Sequence, residues 1–83
     1  MKYLVFVQDE FDNNYYIGVY NKLRNAIPTI NKWLEQYDTK IEELNAYDST
    51  FDKCFDKMIE TPNNEFIMVR GFILNDTDLK PLD

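Results

Sequence analysis

The residues whose types and spacing could do chemistry are acids. Asp52, Asp56 and Glu60 recur every four positions, beside an apolar set, Phe51, Cys54, Phe55, Met58 and Ile59, that repeats with the period of a helix. On a helix the three acids stand one per turn, about 6 Å apart along one side. That spacing is of the order of the phosphate spacing in a nucleic-acid strand, and Glu42 and Glu43 extend the row. Such a row would engage lysines and arginines that normally hold phosphates. Lys53 and Lys57 lie beside it and partly neutralise it, as on an ordinary solvated helix face.

Other chemistries find little support. With no histidine in 83 residues, no Ser–His or Cys–His pair can form. The single cysteine, Cys54, falls on the apolar stripe, where burial keeps a thiol inert. Both glycines, Gly18 and Gly71, fall inside expected strands, so no glycine loop can cradle a phosphate. Asp9/Glu10 and Glu42/Glu43 are neighbours in sequence, not carboxylates facing one another across a cleft. The stretch QDEFDNNYY, residues 8–16, fails the calcium-loop pattern: Phe11 and Tyr15 occupy ligand positions and Asn14 replaces the glycine. It reads as a bend between strands, since Asp and Asn favour turns. These residues predict no catalytic group, no metal and no cofactor, hence a protein that is not an enzyme.

The elements that must position these residues follow from periodicity. Tyr3–Val7 and Tyr15–Tyr20 are β-branched and aromatic runs, predicting a hairpin with a longer loop. Leu23, Ile27, Ile30, Leu34 and Tyr37 mark one helix face, with a loose first turn before Pro28 and a regular helix after about Ala26. Thr39-Lys40-Ile41-Glu42 fits a capping box opening a short helix to about Ala46. A further helix carries the acidic row and stops before Pro62. Phe66–Leu74 predicts a buried strand, and residues 75–83 a frayed tail.

The expected fold is therefore a single α+β domain over residues 1–83. It has a three-stranded, mainly antiparallel sheet and two to three helices, in the order β-β-α-(short α)-α-β. Alternation sorts the strands into two faces. One carries Val5, Val7, Ile17, Val19, Ile67, Val69 and Ile73, which helices can cover. The other carries Leu4, Phe6, Tyr16, Tyr20, Met68, Arg70 and Phe72. Its covering is the open structural question, and Tyr16, Tyr20 and Phe72 are the candidates for a dimer or partner face.

Six Phe, six Tyr and one Trp make 16% of the chain aromatic, enough to build a core despite the short length. The net charge is −6, and residues 34–65 hold nine of the 15 acids against three of the nine bases. A phosphate backbone is repelled by that region, so no direct nucleic-acid contact is expected, whereas a protein with a basic surface is attracted. The apolar start is too short for a signal segment, and no run suits a membrane span. One cysteine permits no internal disulfide, so the expectation is a soluble, cytoplasmic protein.

The stretch Tyr16-Ile17-Gly18-Val19-Tyr20, followed by Ala26-Ile27, Ile30 and Trp33-Leu34, resembles the strand–strand–helix start of many small proteins encoded by bacteriophages and mobile elements. The likeness covers the first 37 residues and carries no functional residue with it. In size and acidity the chain is similar to phage-encoded inhibitors such as anti-CRISPR proteins. That resemblance implies a non-enzymatic inhibitor of a nucleic-acid-handling host enzyme, working through Asp52, Asp56, Glu60, Glu42 and Glu43. The rival is a homodimeric structural or assembly protein that associates through the aromatic sheet face.

Overall fold

A computed structural model of the chain describes residues 2–45, 54–74 and 78–83. Among them the fold is α+β, with one antiparallel sheet and one α-helix. The strands are β1 (Lys2–Gln8), β2 (Asn14–Tyr20), β3 (Cys54–Glu60) and β4 (Phe66–Leu74). They lie side by side in the order β2-β1-β4-β3. Helix α1 (Ile27–Leu34) is flanked by tighter 3-10 turns at Leu23–Ala26 and Glu35–Tyr37. Pro28 falls in the first turn of α1, where its missing N–H costs no bond.

The sheet consists of two hairpins of one design joined through β1 and β4. In the first, Asp9 N–H donates to the Asn13 carbonyl and Asp12 N–H to the Asp9 carbonyl, with Asp12 left-handed at φ 65°. In the second, Thr61 N–H donates to the Glu65 carbonyl and Asn64 N–H to the Thr61 carbonyl, with Asn64 at φ 62°. Both are three-residue loops closed by a turn and a left-handed residue, a role Asp and Asn tolerate better than most side chains. Because β1 and β4 run antiparallel, both loops emerge at the same end of the sheet.

The expected helix over the acidic row is a strand, and four strands replace the expected three. Its spacing misled because Phe55 and Ile59 are four apart, which fits one helix face and one strand face equally. Pairing decides between them. Phe55 lies opposite Gly71 and Ile59 opposite Ile67, and the Phe55 ring fills the space over Gly71 that a side chain would take. The short helix after Thr39 is also absent through Asn45. Asp38 adopts a left-handed conformation at φ 53°, with Asp38 N–H donating to the Glu35 carbonyl and Thr39 N–H to the Leu34 carbonyl. This pair of bonds ends the preceding helical segment. The Asn31 side chain then takes both backbone groups of Ile41, at 2.8 and 2.9 Å, which leaves neither for a helix.

The core lies between one sheet face and α1. Val5, Val7, Ile67 and Val69 from the central strands meet Ile30, Leu34 and Ala26, all fully buried. Leu23, Ile41, Leu44, Phe55 and Ile59 close its margins. Residues 78–83, the described part of the tail, bond to β2 and the turn after it. Leu82 N–H donates to the Val19 carbonyl, and the Asp83 carboxylate accepts from Asn21 N–H, Lys22 N–H and Asn25 Nδ2.

Candidate functional site

Among the described residues no helix covers the other face of the sheet; at its Lys2 end the tail meets it, where Lys2 Nζ donates to the Leu79 carbonyl at 2.6 Å. The side chains of this face form a grid fixed by the register. Going from β2 to β3, one row reads Tyr16, Phe6, Arg70, Asp56 and the next Asn14, Gln8, Met68, Met58. Val19, Leu4, Phe72 and Cys54 form the row on one side, and Phe66 and Glu60 the row on the other. Val19, expected on the covered face, is brought to this one by the β2 bulge and is 2% exposed, at the end of the face where Leu82 N–H bonds its carbonyl. Tyr16 is 68% exposed, Met58 63%, Phe66 51% and Phe72 46%. The Phe6 and Phe72 rings stack with centroids 6.0 Å apart beside Tyr16, and a second apolar group, Met58, Met68 and Phe66, lies beyond the Arg70–Gln8 pair that crosses the face.

The candidate face residues divide. Tyr16 and Phe72 lie on this open face, and Tyr20 does not. A bulge pairs Val5 with Gly18 and Phe6 with Tyr16, leaving Ile17 without a partner across the ladder. The extra residue reverses the alternation beyond it. Tyr20 therefore pairs with Tyr3 on the covered side, is 4% exposed, and its hydroxyl lies 3.3 Å from Thr29 Oγ1 of α1.

The described acids of the expected row stand apart. Asp52 lies outside the described residues. Asp56 and Glu60 do share the open face, but four residues along a strand span about 13 Å, twice the helical spacing. Glu42 and Glu43 are exposed on the loop that returns from α1, and Lys57, from the covered side of β3, donates to the Glu43 carbonyl at 2.8 Å. The four described acids thus belong to two sides of the sheet.

A different acidic group gathers where the two loops meet. Asp9, 7% exposed, accepts four hydrogen bonds: Phe11 N–H and Asn13 N–H on Oδ1, Asn13 Nδ2 and the Tyr15 hydroxyl on Oδ2. Burial acts to raise its pKa, but these bonds outweigh it and hold the carboxyl below its ordinary value. Glu10 moves the other way: burial, then the charge of Glu65 and a hydrogen bond to it, then Asp9, raise its pKa. Tyr37 is raised by burial and by the charges of Asp9, Glu10 and Glu65. Beside them Tyr15, Trp33 and Tyr37 pack with ring centroids 5.2 and 5.3 Å apart.

This arrangement ties the first turn to the aromatic wall beside α1. Asp9 spends its lone pairs on its own turn, and among the described residues no group of three or more acids or cysteines could hold a metal ion. A hollow of about 340 Å³ between the loops and the open face is lined by Gln8, Glu10 and Glu65 with Met58 and Met68. Cys54 is half-buried on the edge strand of the open face instead of within a helix stripe. Sequence reasoning missed Met58 and Phe66 as exposed face residues. The signal available was the Thr61–Glu65 turn chemistry, which makes the preceding segment the partner strand of a hairpin.

Comparison of the chain with protein-family models, with curated proteins and with solved structures gives no match. No helix among the described residues is long and apolar enough to cross a membrane.

Proposed function

We propose that the chain is a non-enzymatic binding protein whose working surface is the open face of the sheet. The observation that carries this reading is the gathering of Phe6, Tyr16, Met58, Phe66, Met68 and Phe72 on one face around Arg70, four of them among the large apolar side chains most exposed to solvent. On the opposite face Val5, Val7, Ile67 and Val69 are fully buried against α1, so the two faces differ sharply in exposure. Aromatic and methionine side chains are the types enriched in protein interfaces, and methionine adapts to an irregular partner surface. Inhibition by imitating a phosphate row draws less support, because the strand spreads Asp56 and Glu60 and places Arg70 beside them.

Capture of proteins from a bacterial lysate by the immobilised chain tests the surface. A Tyr16→Lys/Phe72→Lys variant should lose what the wild type retains. A Gln36→Lys/Asn45→Lys control, which adds the same charge away from the open face, should keep it. Equal retention by all three chains would show that the face is not the docking surface.

A further inference from the structure

We infer that the open face docks a second copy of this chain, face to face, about a two-fold axis that runs parallel to the strands between β1 and β4. This rests on the docking surface proposed above and names its occupant. The argument starts from the central row, Tyr16–Phe6–Arg70–Asp56. Turned over on itself about that axis, the row reads in reverse. Asp56 then faces Tyr16 of the other copy and Arg70 faces Phe6. Each contact has a chemical sense: a phenol hydroxyl donates to a carboxylate, and a guanidinium sits on an aromatic face. The neighbouring row sets Phe72 against Leu4. Packed sheets keep their strands within about 30° of one another, so matches nearest the axis are preserved.

Charge argues against other occupants. A basic surface would press on Arg70 at the centre of the patch. An acidic one would meet Asp56 and Glu60, with Glu10 and Glu65 at the loop end. Arg70 donates to Gln8 Oε1 at 3.2 Å, and among the described residues the Asp56 carboxylate accepts no hydrogen bond, so this acid is open to an incoming donor. The chain's own face offers both signs in one row.

The area sets the strength. Four strands by about seven residues make a face of about 19 by 23 Å. A pair of such faces falls at or below the low end of specific interfaces, which fits a dimer in exchange with its monomer. Each copy carries −6, so salt should strengthen the dimer by screening that repulsion. A complex with a basic partner would weaken instead.

The test uses the distance between Tyr16 and Asp56. They stand on opposite edge strands, three strand spacings or about 14 Å apart within one chain, so direct coupling between them has to pass between copies. Sedimentation equilibrium from about 10 µM to about 1 mM should show a wild-type dimer. Tyr16→Glu, which sets a carboxylate against Asp56 twice per dimer, should weaken it by about tenfold or more. An equimolar mixture of Tyr16→Glu and Asp56→Lys chains should recover association to within about threefold of wild type, because one of the two contacts becomes Glu against Lys and the other is native. A wild-type chain that stays monomeric throughout overturns the second copy as occupant, while the lysate experiment still decides the docking surface. A dimer indifferent to Tyr16→Glu, or a mixture with no recovery, overturns this pairing.

Discussion

The two hairpins use one turn for two purposes. Both begin with an oxygen-bearing side chain that accepts the N–H four residues on: Asp9 Oδ1 from Asn13 at 2.9 Å, Thr61 Oγ1 from Glu65 at 3.1 Å. Both end on a left-handed Asp or Asn. The difference is charge. Asp9 gathers three more bonds and fixes Tyr15 beside Trp33, so the first turn also anchors the wall next to α1. Thr61 serves its own turn. A shared backbone geometry thus leaves the first residue free to set how much of the surroundings depends on the turn.

The largest effect should come from breaking the join between the hairpins. A Cβ at Gly71 would strike the Leu4 carbonyl oxygen of β1 and the Phe55 ring of β3. The backbone oxygen cannot rotate away, so the central pairing must shift. Gly71→Ala should cost about 3 kcal/mol, the upper end for overpacking. In a domain of this size that lowers Tm by about 12–24 °C in a thermal melt. Next comes the comparison of turns. Thr61→Val removes one bond from a 3% exposed residue and should cost about 1–2 kcal/mol. Asp9→Ala strips four donors of their acceptor and should lower Tm by roughly twice as much or more. Equal losses would mean that the extra bonds of Asp9 contribute nothing to stability.

Acid sharpens the same contrast. The Asp9 carboxyl is held below its ordinary 3.8, so the folded state binds its proton less readily than the unfolded one. Its contribution is complete above that value and is lost as pH falls through the folded pKa. Glu10 is raised above its ordinary 4.5 by burial and by Glu65. Its sign is opposite: the folded state favours the protonated form, and stability falls as pH rises through the window above 4.5. Tm measured from pH 3 to pH 7 should therefore lose part of its acid limb in Asp9→Asn. Glu10→Gln should instead remove a decline on the other side. Thr61→Val should leave the shape of the profile unaltered.

How much of this was legible depended on which hairpin carried the signal. The first is plain in sequence because Asp, Asn and two aromatic runs all agree. The helix is plain as well, since Leu23, Ile30 and Leu34 keep one face and Pro28 marks its first turn. The second hairpin was hidden: Phe55 and Ile59 satisfy two periods at once, and only their partners in β4 choose between them. Tyr20 changes face for a different reason. A bulge adds one residue, and the alternation rule has no way to register it without the neighbouring strand. The open face was visible as a question, through Phe6, Tyr16 and Phe72. Its acidic edge is not, because the spacing around Asp56 fits a helix as well as a strand and only the pairing with Arg70 decides.

The finest distinction concerns the left-handed residues, Asp12 at φ 65° and Asn64 at φ 62°. If the two turns are equivalent as backbone, substitutions there should have the same consequences despite unlike surroundings. An alanine at either position meets the steric cost of the left-handed region, about 1 kcal/mol. A glycine removes that cost but loses more chain entropy on folding, so the two terms nearly cancel. Asp12→Ala and Asn64→Ala should each lower stability by about 1 kcal/mol, and the two glycine variants should stay within about 0.5 kcal/mol of wild type. Urea titration read by tryptophan fluorescence measures all four, since Trp33 packs against Tyr15 just beyond the first turn. A large loss for Asp12→Gly alone would show that the Asp12 side chain, and not its backbone conformation, holds the first turn.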